Sequence, residues 1–447
     1  MSDTLIRNAT IINEGHSYKG DILIRGEIIG SIGRPGTISS EGVSEEIDAE
    51  GLFLIPGVID VHVHFREPGL TQKGDIASES RAAVAGGVTS FMDMPNTIPQ
   101  TVTLKALNEK FTLGSEKSFI NYSFYIGATN NNLDEILKAD PSAVSGIKLF
   151  LGSSTGNMLV NETLSLSELF KRAHLPVCAH CEDDAEIKKN SIVYREKYGE
   201  NVPFEMHPLI RSREACFMSS SSAVKMAREY NTRLHITHLS TADEMKLFSN
   251  EEPAGEKRIT GEACVHHLWF DDSFYEKSGA FIKWNPAIKT RFDRESLTDA
   301  VNKDLLDVIS TDHAPHSLKE KTGTYFNVPS GAPMVQHSLV TMFEMWHRRL
   351  FTPEKIIEKM CHNPAVIFNI EGRGFIREGY KADLVLVDPD KTWTVSRENI
   401  LYKCGWSPLV GTTFNTAVIR TFVNGTTVYN NGVFNEDYRG QRLKFDR

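Results

Sequence analysis

Eight short apolar segments, each suited to a β-strand and most ending beside an ionisable side chain, follow one another between residues 57 and 313. They read GVIDVHVH, GVTSFMDM, NYSFYIGA, SGIKLFLG, PVCAHCE, RLHITHLS, RITGEACVHHL and LLDVISTDH. Helix-favouring stretches such as SESRAAVAGG and SREACFMSSSSAVKMAREY separate several of them. Strands that alternate with amphipathic helices build parallel sheets covered on both faces. Eight of them fit a closed (β/α)8 barrel better than an open sheet. The expectation is an α/β chain with a TIM barrel over residues 56–370.

The two ends read differently. Residues 1–55 hold TLIRNATII, GDILIRGEIIGSIG and GLFLIP, and residues 371–447 hold ADLVLVD and AVIRTFVNGTTVYNNGVF, with two Asn-Gly turn signals. Strand-rich ends around a barrel are expected to meet in one small β domain, 1–55 supplying its N-terminal part and 371–447 its C-terminal part.

Composition narrows the class. The chain has 447 residues, 40% hydrophobic and 24% charged, with a net charge of −9. That is ordinary globular usage. A modest acidic balance gives no general grip on nucleic acid or an anionic membrane, so an anionic substrate needs local cations. The first residues lack a signal-peptide pattern, and no apolar run approaches the ~20 residues of a membrane span. Six cysteines in this length do not make a disulfide framework. A cytoplasmic enzyme acting on a small molecule is expected, with no nucleic-acid or membrane partner.

The ionisable residues fall where this fold places its chemistry. His62 and His64 end the first strand candidate as D-V-H-V-H; a two-residue spacing puts both imidazoles on one face, able to share one ion. Lys148 lies on the fourth segment, His180 ends the fifth, His238 the sixth and Asp312 the eighth. In a barrel these positions converge at the C-terminal mouth. His235 alternates away from His238 and is expected behind the site, and His266 and His267 are expected to position the seventh-strand end. His16, His174, His347 and His362 read as surface or packing residues.

Lys148 has two readings. A charged lysine inside G-I-K-L-F is costly, so it either snorkels from the strand end or uses its neutral amine to capture carbon dioxide as a carbamate bridging two metals. Four histidines and an aspartate around it favour the carbamate. Cys178 and Cys181 form a CxxC, but His180 explains the segment and no second CxxC completes a zinc site, so both thiols read as packing residues. The segment 153–158, SSTGNM, follows Lys148 and could overhang the site.

Taken together, PGVIDVHVHFREPG, AAVAGGVTSFMDMPNTIP, GIKLF, PVCAHCE, HITHLST, STDHAPH and REGYKADLVLVD make the chain resemble the amidohydrolase superfamily, specifically its dihydroorotase family of the long type. Phe65 stands where many relatives have Leu, and some relatives carry Asp for the bridging Lys. The resemblance implies a binuclear centre with His62, His64 and Asp312 on one ion, His180 and His238 on the second, and carboxylated Lys148 between them. Zinc suits an imidazole-rich, oxygen-completed site, with manganese or cobalt as substitutes. It also implies that Arg66, Asn96 and His316 hold a substrate carboxylate and that Asn285 contacts the ring. Taken alone, Arg66 reads as a surface salt bridge and Asn96 as a turn residue.

The implied reaction interconverts (S)-dihydroorotate and N-carbamoyl-L-aspartate in pyrimidine synthesis, with Asp312 moving a proton from the attacking water to the departing ring nitrogen. A homodimer and association with aspartate transcarbamoylase are the implied partner states. The rivals are allantoinase and dihydropyrimidinase, whose rings lack the carboxylate, and a non-catalytic scaffold, which would lack the ligands present here.

Overall fold

The computed structural model describes residues 3–152, 158–160 and 162–447. The 153–158 segment therefore lies outside the described residues, apart from Met158, which is buried.

Eight strand positions form the central barrel: Val58–Val63, Val88–Asp93, Asn121–Phe124 with its continuation Ile126–Gly127, Ile147–Phe150, Val177–His180, Leu234–Ile236, Ile259–Cys264 and Val308–Ser310. Every pairing between neighbours is parallel. The third strand is broken at Tyr125, so that its first half pairs with the second strand and its continuation with the fourth. Tyr125 is fully buried and its hydroxyl donates to the Val61 carbonyl at 2.9 Å, tying the break to the first strand. Closure comes at Val63, which bridges His313 in parallel, while the His64 N–H donates to the His313 carbonyl at 2.7 Å. Strands buried on both faces need apolar runs rather than alternation, and the first two carry fully buried patterns.

The predicted helices form on the outside. SESRAAVAGG forms the greater part of the helix Ile76–Ala85 and its two glycines follow the helix end; Asp75 and Ser78 cap each other's backbone N–H groups. SREACFMSSSSAVKMAREY becomes Arg213–Tyr230, capped by Ser212.

Strands from both chain ends share one sheet. Phe53–Pro56 pairs in parallel with Thr4–Asn13 on one side and antiparallel with Leu384–Asp388 on the other. Ala417–Val423, Thr426–Asn430 and Val433–Phe434 extend that sheet. The two Asn-Gly turns join these last strands, with Asn424, Gly425, Asn431 and Gly432 all at positive φ (47°, 75°, 45° and 90°), the backbone that a tight hairpin requires. Ile6, Ile11, Ile22, Leu54, Leu384 and Phe422 bury its inner face. The last residues leave this sheet. Arg442 bridges Tyr122 and Phe445 bridges Ile370, and Leu443 and Phe445 pack with Ile59, Val61, Met92 and Tyr125 under the barrel. All six cysteines are free and buried, and burial pushes the Cys178 thiol up to about 12. No helix among the described residues is long and apolar enough to cross a membrane.

Candidate active site

At the C-terminal mouth one cavity is lined by His62, His64, Arg66, Asn96, Lys148, His180, His238, Asn285 and Asp312, together with Phe150, Trp284, Ala314, Ser330 and Gly331. Nine of the ten residues singled out from the sequence are in this wall; the tenth, His316, stands behind it, against Arg66.

The backbone is built to aim these groups. Asp93, at the end of the second strand and ion-paired to buried Lys110, accepts the Phe65 N–H at 2.6 Å. That anchors the turn in which Arg66 takes a positive φ of 70°. His238 and Asp312 also have positive φ, 40° and 45°. Non-glycine residues rarely adopt this backbone, and it persists where surrounding bonds over-determine it. At His238 one such bond is a 3.0 Å contact from its N–H to Glu262 Oε1.

Two groups of donor atoms converge. His62 Nε2 and His64 Nε2 lie 3.3 and 3.0 Å from the same Asp312 oxygen. His180 Nδ1 and His238 Nε2 face each other at 2.8 Å. The candidate ligand atoms of His62, His238 and Asp312 all lie within 4.8 Å of one another, so the two groups adjoin. Burial holds all four imidazoles below their usual range, with the charges of Lys148 and, for His64, Arg66 acting the same way. Neutral rings keep a lone pair to give to a cation. Burial pushes Asp312 up, against the pull of His62 and Lys148.

Three of the four ring nitrogens turned away from the centre have partners of their own, while His238 Nδ1 is buried without a hydrogen-bond partner. His62 Nδ1 meets Glu262 Oε1 at 2.8 Å, and His64 Nδ1 meets Asn96 Oδ1 at 2.8 Å. His180 Nε2 lies 3.0 Å from Glu182, which is ion-paired to Arg211. These contacts place the free lone pair on the nitrogen that faces the cavity. Burial alone would raise Glu262, but His62 and His235 hold it well below the carboxylate range; Arg211 and His180 likewise hold Glu182 down at about 2.

Lys148 is fully buried and donates to Thr237 Oγ1 at 3.2 Å. No carboxylate lies within 4.0 Å of it among the described residues. Burial lowers its pKa, which favours the neutral, nucleophilic amine. Four neutral imidazoles, a carboxylate and this amine, all inward-facing, are a donor set that fits divalent cations.

Arg66 is only 3% exposed. Its Nε donates to the Pro315 carbonyl at 3.0 Å, and among the described residues no carboxylate lies within 4.0 Å. Burial lowers it to about 10. Asn285 turns a buried Oδ1 with no hydrogen-bond partner into the same region. His266 lies flat on Trp284 with ring centres 4.0 Å apart, and His267 Nε2 bonds the Pro286 carbonyl at 3.1 Å. Both thus brace the segment that carries Asn285. His235 packs behind the site on Thr260 and Glu262.

Sequence reading passed over Glu262 and Glu182. A glutamate inside the apolar strand ITGEAC was the available signal for the first, since a buried carboxylate needs a partner. Nothing local marked the partner as His62.

The family model for amidohydrolases matches residues 53–428. A dihydroorotase of Methanosphaera stadtmanae is 30% identical over 98% of this chain and 99% of its own length. An allantoinase of Solibacter usitatus is 31% identical over 99% of this chain and 97% of its own. Among solved structures, L-hydantoinase (dihydropyrimidinase) from Arthrobacter aurescens superposes with a TM-score of 0.93, at 24% identity, covering 99% of this chain and all of that one. The match runs from the strand that joins the two parts of the fold, through every barrel strand, into the last hairpins. On that extent, this chain belongs to the amidohydrolase family and is a hydrolytic enzyme.

Proposed function

We propose that the enzyme is a dihydroorotase, interconverting (S)-dihydroorotate and N-carbamoyl-L-aspartate, a step of pyrimidine synthesis. The observation that carries this reading is Arg66. A buried guanidinium without a carboxylate partner among the described residues, in the wall of the same cavity as the ligand cluster, is matched by a substrate that brings its own carboxylate. Allantoin and dihydrouracil bring none and would leave that charge unpaired.

In this reading His62, His64 and Asp312 would hold one divalent ion and His180 and His238 the other. Lys148, as the carbamate formed when its amine adds carbon dioxide and loses a proton, would serve both. Zinc is the ion that this donor set suits best. When bound, such ions act as Lewis acids on the amide carbonyl and make water acidic enough to attack near neutral pH. Arg66, Asn96 and His316 orient the substrate carboxylate, and Asn285 lies against the ring. Asp312 accepts the proton of the attacking water and returns it to the ring nitrogen as the C–N bond breaks; closure of N-carbamoyl-L-aspartate reverses each step.

Turnover of dihydroorotate, allantoin and dihydrouracil on one sample of known metal content tests this. The expected result is dihydroorotate turnover exceeding both others by at least about 100-fold, because a site built around a charged partner rejects ligands that lack it. Faster allantoin or dihydrouracil turnover would overturn the reading.

Glu262 carries a further expectation. Its Oε1 takes both His62 Nδ1 and the His238 N–H, so one carboxylate orients a ligand of each ion. Glu262→Gln should weaken metal affinity by ~10–100-fold without unfolding the chain, measured by competition with a chromophoric chelator and by circular dichroism. Unchanged affinity would show that the histidines are held by other contacts.

A further inference from the structure

Beyond the REPG turn lies Lys73, a residue that no part of the reaction above uses. It is 8% exposed. Its Nζ lies 3.1 Å from His316 Nδ1 and 2.9 Å from Glu320 Oε1. The other Glu320 oxygen accepts the N–H and hydroxyl of Ser317, both at 2.9 Å, directly after His316. Lysine, glutamate and the turn after the histidine thus close a small ring of bonds.

The consequence is a defined tautomer. An ammonium paired to a carboxylate only donates, so His316 Nδ1 accepts and carries no proton. Burial, reinforced by Arg66, Lys73 and Lys321, keeps this imidazole neutral; the acidic group facing it, Glu320, lies 4.0 Å from Nδ1, on the same edge as Lys73 and beyond hydrogen-bonding distance. Its one proton is therefore on Nε2, where it meets the Ser330 carbonyl at 2.9 Å. Arg66 Nη2 lies 3.1 Å from that same Nε2. Two N–H groups cannot bond to each other. They stand side by side at the edge of the cavity that Arg66 and Ser330 line.

We propose that Lys73 is a positioning residue for substrate choice. By holding His316 in its Nε2–H form, with that proton on the Ser330 carbonyl, it denies Arg66 Nη2 an acceptor in His316 and leaves the guanidinium to a ligand carboxylate. In the opposite tautomer Nε2 accepts from Arg66 Nη2, and the pair satisfies itself instead of the substrate. The inference rests on the dihydroorotase reading for the identity of the carboxylate. The tautomer itself does not.

The test uses the full-length, metal-loaded enzyme with ring-15N-labelled histidine, comparing wild type, Lys73→Met and Lys73→Arg by long-range 1H–15N correlation and by steady-state kinetics. His316 is assigned by the signal lost in His316→Gln. The wild-type ring should be neutral with its proton on Nε2. Lys73→Met should move that proton to Nδ1 and raise KM for dihydroorotate roughly 10- to 100-fold with kcat nearly unchanged. Lys73→Arg, which keeps a donor, should restore both, and metal content should be the same throughout. A wild-type ring protonated on Nδ1, or on both nitrogens, overturns the proposal whether or not Lys73→Met folds. Dihydroorotate turnover with an unchanged KM in Lys73→Met overturns the proposal alone. A wild-type enzyme that does not turn over dihydroorotate overturns the functional reading, and the selectivity claim with it.

Discussion

Lys148→Ala should leave the enzyme with less than one metal per chain and kcat/KM lower by about 1,000-fold or more. Metal-assisted stabilisation of the reacting carbonyl and water amounts to several kcal/mol, and each ~1.36 kcal/mol is tenfold in rate. The side chain is fully buried in the wall of the cavity that His62, His64, Asp312, His180 and His238 also line, and among the described residues its hydrogen bond is to Thr237. Its removal therefore takes away the proposed ligand without stranding a charged partner, and the fold should survive. Acetate or propionate, small enough to enter the space vacated by the side chain, should restore part of both metal content and rate. Metal analysis and kinetics with and without the added acid give the answer. A variant that keeps two ions and wild-type turnover would show that Lys148 is a structural lysine.

The second large effect is expected at Arg66. Arg66→Met keeps much of the side-chain volume and removes the charge. Breaking a buried, charge-assisted pair costs about 2–5 kcal/mol, because the partner carboxylate is left unpaired. At ~1.36 kcal/mol per decade, kcat/KM for dihydroorotate should fall by roughly 30-fold or more. Metal content should stay the same as in the wild type, since Arg66 is not among the proposed ligands. Turnover of a ring without a carboxylate should be far less affected. Dihydroorotate kinetics that ignore the change would remove the chemical ground for preferring dihydroorotase to the allantoinase and hydantoinase relatives.

The candidate site was legible in the sequence to the extent that local periodicity fixes direction. His62 and His64 are two residues apart on a strand, so they had to share a face. Lys148 stood out because a cation in an apolar strand has no cheap local partner. Asn424-Gly425 and Asn431-Gly432 announced their hairpins because that backbone suits few other residues. What stayed hidden were the contacts that make those residues competent. Glu262 meets His62 across 200 residues of chain, and Lys73 meets His316 across 243.

By itself, then, the sequence determined a strand–helix alternation, two strand-rich ends and a set of ionisable side chains at strand ends. Those follow from interactions within a few residues: the twofold strand repeat, helix caps and turn backbones. Only the tertiary structure decided that the last strand closes on the first through Val63 and His313, and that the final residues turn back under the barrel. It alone decided which nitrogen of each histidine looks inward and that Arg66 is buried without a carboxylate of its own among the described residues. Those outcomes depend on which faces meet after closure. Burial then converts each meeting into a strong preference, because an unpaired polar atom in the interior is costly and a correctly paired one is not.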